Sequence, residues 1–209
     1  MKNYIMFIFL LTIVSCEDYV TNIDKPVQFV KDDELNSESQ FGFLIAGVKT
    51  EFSYTHHVLC GLSDILSDQF IINPESNMIQ LLEIDKGNIN FDNSLISDGF
   101  SALGKLRFYA DDLVRRVEEM DVSADSIKNY PLYYGYLFGG ISRYYYATYF
   151  GLNQNIGGGV IDNGPFVPSS DMYYLAIEKF QQALHTTSDD YEIRLINSLI
   201  ARAYLYNGD

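Results

Sequence analysis

Apolar residues recur at Phe41, Leu44, Ile45, Val48 and Phe52, the i, i+3, i+4, i+7, i+11 spacing of one stripe on an amphipathic helix. Ser37 and Gln40, three places apart just ahead of that stripe, fit a capping box. A second helix is expected from about Tyr54 to Leu66, with Cys60 among Val58, Leu59 and Leu62 as a small buried apolar residue. The next stripe, Ile96, Phe100, Leu103, Ala110, Leu113, Val117 and Met120, predicts a helix that opens at Asn93 or Ser94. Its other face carries Asp111, Asp112, Arg115, Arg116, Glu118 and Glu119, opposite charges four apart that suit a solvated surface. Another helix follows Asn129 with Pro131 in its first turn and stops before Gly151, in the usual left-handed place after a helix end. A serine cap at Ser169 or Ser170 starts the next, and a last helix closes on Gly208-Asp209. From residue 37 onward the pattern is helical, so the chain is expected to be all-α.

Two stretches interrupt the periodicity. Residues 71–93, IINPESNMIQLLEIDKGNINFDN, hold Pro74, Gly87 and five Asn, and read as a loop with little regular structure. Loops of that length are uncommon unless they have a function. Residues 152–169, LNQNIGGGVIDNGPFVPS, form a second insertion. Between the two lies a helix, PLYYGYLFGGISRYYYATYFG, that packs Tyr and Phe rings around glycines. Gly135, Gly139 and Gly140 each cost about 1 kcal/mol of helix propensity against Ala, which close contact with another helix would offset.

The N-terminus follows different rules. Lys2 precedes an apolar run from Tyr4 to Val14, then Ser15 and Cys16, the grammar of a secretory signal over residues 1–15. At a rise of ~1.5 Å per residue such a run is too short to span a ~30 Å hydrocarbon core. The string Ile13-Val14-Ser15-Cys16 resembles the bacterial lipobox, in which the Cys is acylated and becomes the first mature residue. Each buried methylene then contributes about 0.8 kcal/mol, so two or more chains anchor the protein to a membrane. Glu17 and Asp18 resemble the export signal of surface lipoproteins in Bacteroidetes-type bacteria. Residues 16–36 read as a lipid-anchored tether in which Pro26 forbids an early helix. With Cys16 acylated, Cys60 has no partner, and no disulfide is expected.

Charge removes one class of partner. A formal net charge of −14 with only 14 Lys and Arg argues against nucleic acid, whose binding draws on clustered cations. Catalytic and metal signals are thin. His56 and His57 are adjacent and point to different faces, without the i, i+4 spacing that brings two imidazoles to one metal, and His185 lies past a helix end. The glycines of GGGVIDNG lack the Lys-Ser/Thr of a phosphate loop, and no nucleophile elbow is present. No enzyme, cofactor or metal site is expected.

The last two helices carry a more specific pattern. Ala176, Phe180 and Ala183 match the A-x3-F core of the second helix of a tetratricopeptide repeat, where small and large residues alternate so that antiparallel helices nest. The final helix, with Ala201, Tyr204 and the closing Gly208-Asp209, resembles the first helix of a following repeat. A repeat of that kind cannot bury its apolar face alone.

The order of landmarks, a lipobox, LSDILSDQF, RYYYATYFG, a Gly/Pro insertion, YLAIEKFQQAL and LIARAYLYNGD, resembles the SusD/RagB outer-membrane lipoproteins over nearly all of residues 13–209. The resemblance implies an all-α domain over 37–209, built of antiparallel helix pairs of tetratricopeptide-repeat type with long irregular loop insertions. It implies a place on the outer membrane, lipid-anchored and surface-exposed. There the family forms a lid over a TonB-dependent (SusC-like) transporter and captures oligosaccharides or other nutrients for import. Asp68, Asn73, Asn77, Asn88 and Asn90, with the rings of Phe70 and Phe91, match the family's early loop and are the implied ligand contacts. Sugar recognition uses flat aromatic faces together with convergent amides and carboxylates. Two features depart from the family. The chain contains no Trp, the residue often used as a sugar platform, and family members are longer, which suggests a fragment or a truncated product. A tetratricopeptide-type scaffold lipoprotein for envelope assembly is the alternative.

Overall fold

A computed structural model of the chain describes residues 35–151, 159 and 164–208. Among them are six α-helices and two single 3-10 turns, at Glu38–Gln40 and Asp125–Lys128. The helices are α1 (Phe41–Leu66), α2 (Ile79–Asp85), α3 (Ser94–Glu119), α4 (Asn129–Phe150), α5 (Ser169–Leu184) and α6 (Asp190–Asn207). The fold is all-α. The signal peptide at 1–15, Cys16 with most of its tether, and most of the insertion after Gly151 lie outside the described residues. No helix among the described residues is long and apolar enough to cross a membrane.

The first expected pair of helices is one helix. In α1 the inward residues run Phe41, Ile45, Val48, Thr55, Leu59, Leu62 and Ile65, so a single stripe continues past Tyr54. The stripe looked broken because a polar residue, Thr55, occupies a core position. It is fully buried, and its hydroxyl donates to the Ala102 carbonyl of α3 at 3.2 Å. The capping box does not form either. Ser37 Oγ bonds Ser39 Oγ at 2.8 Å and makes no cap bond, and a 3-10 turn leads into α1.

Inside the expected loop, Ile79–Asp85 is helical. Seven residues are too few to hold a helix by propensity, so tertiary docking must stabilise α2. Ile84, 1% exposed, joins Leu62 and Ile65 in a small satellite core. Asn93 caps α3 by accepting from Leu95 N, and the same side chain donates to Gln80 O at 3.0 Å and Glu83 Oε2 at 2.8 Å. One residue thus starts α3 and ties α2 to it.

The main core is built around α4, which is buried on nearly every face. A helix apolar all round belongs in an interior, and α3 and α5 both pack on it. Its glycines divide by role. A Cβ on Gly140 would lie 2.4 Å from the Phe180 ring, and one on Gly135 would lie 2.6 Å from Val114. Gly139 differs, because a Cβ there would meet only ordinary contacts at 3.5 Å, so close packing does not explain it. Ala176, Phe180 and Ala183 are fully buried, as their spacing predicts.

Helix ends bring further corrections. Gly151 has φ −111°, which is not left-handed. It is crowded instead: a Cβ would sit 2.2 Å from Ser169 Oγ and 2.4 Å from the Ala147 carbonyl. Ser169 does not cap α5, and its hydroxyl crosses to the Ala147 carbonyl at 2.8 Å, pinning α5 to α4. Asp189 caps α6 by accepting from Tyr191 N and Glu192 N, and Gly208 closes it in the left-handed region at φ 88°. In α6 the buried residues are Ile196 and Ala203, while Ala201 faces solvent.

Candidate functional site

The loop between α1 and α3 begins at Asp68, a non-glycine residue with φ 59° that ends α1. Asp is among the few residues that adopt this conformation readily, so a turn role accounts for it. Phe70 and Ile71 follow, both exposed, with the Phe70 amide donating to the Asp64 carbonyl. Asn73 Oδ1 accepts from Glu75 N at 3.0 Å, a local turn bond. Asp85 Oδ1 accepts from Ile72 N at 3.2 Å, which fixes the first arm of the loop to α2.

Asn77 lines a cleft of about 380 Å³ with Met78, Ile79, Gln80, Leu81 and Leu95. Leu81 and Leu95 also bound a second cleft of about 240 Å³ against Tyr54, His57 and Leu62 of α1. Beyond α2, Asn88 is exposed, and Asn90 Nδ2 donates to Glu83 Oε1. Phe91 is the most exposed ring of the loop, at 102%. Of the expected ligand residues, then, Asn77 lies in a cleft, Asn88, Phe70 and Phe91 stand in solvent, and Asp68, Asn73 and Asn90 take part in the loop's own bonding. Their side chains do not converge on one point. Phe70, Ile71, Met78, Ile79 and Phe91 are exposed large apolar side chains of the same loop.

The charged side of α3 is solvated in part, as its spacing suggests: Arg115, Glu118 and Glu119 are exposed, while Asp111, Asp112 and Arg116 are half-buried. Arg143 of α4 reaches back across the helix pair and grips Asp111 with two bonds, Nη1 to Oδ1 at 3.1 Å and Nη2 to Oδ2 at 2.9 Å. The same Nη1 donates to the Gly139 carbonyl at 2.9 Å. Arg107 Nη1 donates to Asp111 Oδ2 at 3.3 Å, and Lys179 Nζ of α5 stands 3.8 Å from Oδ1. A bidentate Arg–carboxylate pair is the strong form of such contacts. At the next residue, Asp112 accepts from Arg115 at 2.5 Å and from Arg116 at 2.6 Å, and Arg115 also donates to Glu119 at 2.8 Å. Burial alone would raise the Asp112 carboxyl, but the bonds from Arg116 and Arg115 outweigh it and hold it below the usual carboxylate range. Burial depresses Lys179, and Arg143 adds to that against the opposing pull of Asp111. These groups, with the ring of Phe108, line a cleft of about 390 Å³.

Cys60 is a free thiol, half-buried rather than buried, with His56 Nε2 3.5 Å from its sulfur. His56 Nδ1 lies 3.0 Å from the Tyr145 hydroxyl, and its imidazole stacks on Phe52 at 5.5 Å. Tyr145, Tyr149 and Tyr173 belong to an aromatic network between helices, in which Tyr144 meets Tyr173 at 5.8 Å and Tyr145 meets Tyr149 at 5.7 Å. The ionic cleft was missed in the sequence because its members are spread over three helices. The isolated Arg143 within an aromatic helix was the one available signal. No family model matches this chain, and no curated protein or solved structure matches it.

Proposed function

We propose that this chain is a lipid-anchored, surface-exposed outer-membrane lipoprotein of SusD/RagB type. It binds glycans or other nutrients and delivers them to a partner TonB-dependent transporter. The observation that carries the reading is the order of landmarks in one chain, with Ile13-Val14-Ser15-Cys16 behind an apolar run and the helical body after it. The interlock of Phe180 with Gly140 supports the tetratricopeptide-type nesting of α4 and α5 in this reading, since small and large residues meet as that motif requires. The exposed amides and rings of 68–91 supply a ligand or transporter surface on a helical scaffold.

The first test is the anchor. Cys16→Ser should abolish incorporation of labelled palmitate and shift the protein from the outer-membrane fraction to the soluble envelope fraction. Palmitate labelling that survives the substitution would sink the reading. The second test is purification of the wild-type protein from membranes, where a transporter barrel should accompany it and labelled oligosaccharide should bind without being hydrolysed. A scaffold role in envelope assembly is favoured by one observation, the exposed apolar face of α6 at Tyr191, Leu205 and Tyr206. Recovery of assembly factors in place of a transporter would select it.

A further inference from the structure

We propose that the apolar cleft between α1, α2 and α3 is a slot for the aromatic ring of an aryl-substituted saccharide, with the sugar hydroxyls held at its rim. The saccharide half rests on the nutrient-binding reading above, while the ring slot stands on the cleft alone.

The cleft is floored by α1. Tyr54, Val58, Gly61 and Ile65 lie on one stripe of that helix, and all four line the cleft. Leu81 of α2 and Leu95 of α3 supply further wall. Beneath them the satellite core of Leu62, Ile65 and Ile84 is too small to cover its surroundings, so Val58, Leu81 and Leu95 pack on it while staying half-buried. Water therefore wets aliphatic surface inside the cleft, and an apolar group that displaces it gains in proportion to the area covered.

Gly61 keeps the slot open. A Cβ built there meets nothing within 4 Å, and its place on the stripe directs it into the cleft. The volume, about 240 Å³, is below the usual range for a whole ligand, which fits one substituent of a larger molecule. An apolar cavity of about 150 Å³ already takes benzene, so an aryl ring has room. The rest of the ligand has a place beside it. Leu81 and Leu95 also line the neighbouring cleft of about 380 Å³, to which Asn77 and Gln80 bring amides.

The rim sets the polar end of the ligand. Tyr54, His57 and Asp98 line the cleft, and their side chains make no hydrogen bond or ion pair among the described residues. The Asp98 carboxylate only accepts, so it calls for a hydroxyl donor, while phenol and imidazole can serve in either sense. A plain sugar would leave the aliphatic walls wet, and a plain hydrocarbon would leave these three groups unmatched. An aryl ring joined to a hydroxyl-rich ring satisfies both. The wall is also fixed in advance: Asn93 holds Gln80 and Glu83, and Ser94 Oγ donates to Gln80 Oε1 at 2.9 Å, so little ordering remains when a ligand enters.

The test uses the full chain in detergent, labelled at its Ile, Leu and Val methyls, with titrations followed by nuclear magnetic resonance. The probes are phenyl glucoside, methyl glucoside and benzene, the last at a free concentration read from its own proton signal. Phenyl glucoside should shift the methyls of Val58, Leu62, Leu81 and Leu95 and bind at least about tenfold more tightly than methyl glucoside. Gly61→Leu should abolish binding of benzene and phenyl glucoside by filling the slot. Gly47→Leu, at an equally open place on α1 outside the cleft, should leave both unchanged. Leu is a better helix former than Gly, so neither variant should unfold more easily than wild type, and circular dichroism checks this. Asp98→Ala should weaken phenyl glucoside severalfold and leave benzene as it was. Phenyl and methyl glucosides binding alike, with Gly61→Leu silent, would overturn the slot and leave the nutrient reading intact. Benzene binding as tightly as phenyl glucoside, with Asp98→Ala silent, would keep the slot and overturn its saccharide assignment. No methyl shift with any probe would overturn the whole proposal, while the nutrient reading stands or falls on Cys16 and the transporter.

Discussion

Gly47 and Gly140 are both helical glycines, and their surroundings give opposite signs to the same substitution. Around Gly47, exposed in α1, a new Cβ meets nothing within 4 Å. Gly47→Ala should therefore stabilise the protein by about 0.5–1 kcal/mol through reduced freedom of the unfolded chain. At Gly140 the added methyl would land 2.4 Å from Phe180, a fully buried ring with no easy way to move. Gly140→Ala should cost about 1–3 kcal/mol by overpacking. Urea unfolding of the two variants against wild type checks both, and a Gly140→Ala midpoint at or above that of wild type would refute the tight seat. If that seat is as tight as described, Phe180→Leu should partly rescue Gly140→Ala, because a smaller side chain gives the methyl room. At this scale the sequence showed which glycines needed an explanation, whereas the ring that confines Gly140 lies in a different helix.

The dependence of α2 on its neighbours is a statement about elements. Asn93 does two jobs, with its Oδ1 receiving Leu95 N and its Nδ2 holding Gln80 and Glu83. Asn93→Ala should remove both at a cost of about 1–3 kcal/mol, and amides of residues 79–85 should exchange faster. Asn93→Asp separates the roles. It keeps the acceptor that starts α3 but loses the donor and faces Glu83 with like charge, so α2 should loosen while the α3 terminus stays protected. Equal protection of α2 in wild type and Asn93→Asp would contradict this. The same element shows why parts of the fold were legible and others were not. Stripes such as Phe41, Ile45, Val48 and Leu103, Ala110, Leu113, Val117 announce themselves because helix periodicity is local. The continuity of α1 through Thr55 was hidden, since the group that satisfies its hydroxyl is 47 residues away. The α2 helix was hidden because its stability lies in Ile84 and Asn93 rather than in its own seven residues. The ionic cleft was hidden for a related reason. The spacing within α3 reveals its internal pairs, but Arg143 is 32 residues from Asp111, and only the packing of α4 against α3 brings them together. For the candidate ligand loop the sequence indicated exposure and composition, and the structure adds that several of its polar groups hold the loop itself.

Over the whole molecule, the aromatic interior makes stability depend on alkaline pH. Burial pushes the phenols of Tyr136, Tyr144, Tyr145 and Tyr146 up to about 12, with the Glu118 bond reinforcing Tyr136 and Arg202 partly opposing the rise at Tyr144 and Tyr145. Tyr133 is displaced further in the same direction, again chiefly by burial. An unfolded chain releases these protons near pH 10. Below about 10 the phenols are neutral in both states, so their contribution to stability is fully present. Between about 10 and 12 the unfolded chain ionises while the folded one resists, and the contribution is progressively lost as pH rises. Each phenol is worth at most ~3 kcal/mol over that interval, less at Tyr136, where solvent screening near Glu118 reduces it. Several together rival the ~5–15 kcal/mol that holds a typical domain folded. The urea midpoint should therefore change little from pH 7 to 9 and fall steeply from 10 to 12, with tyrosinate absorbance from these rings rising together with the loss of helix. General repulsion in a protein of net charge −14 predicts a different outcome, since it weakens with screening. Adding about 0.5 M salt should leave the window in place if buried phenols cause it, because desolvation inside α4 is out of reach of counterions. Complete tyrosinate formation with helix intact at pH 12 would show that these rings reach water more freely than their packing in α4 allows.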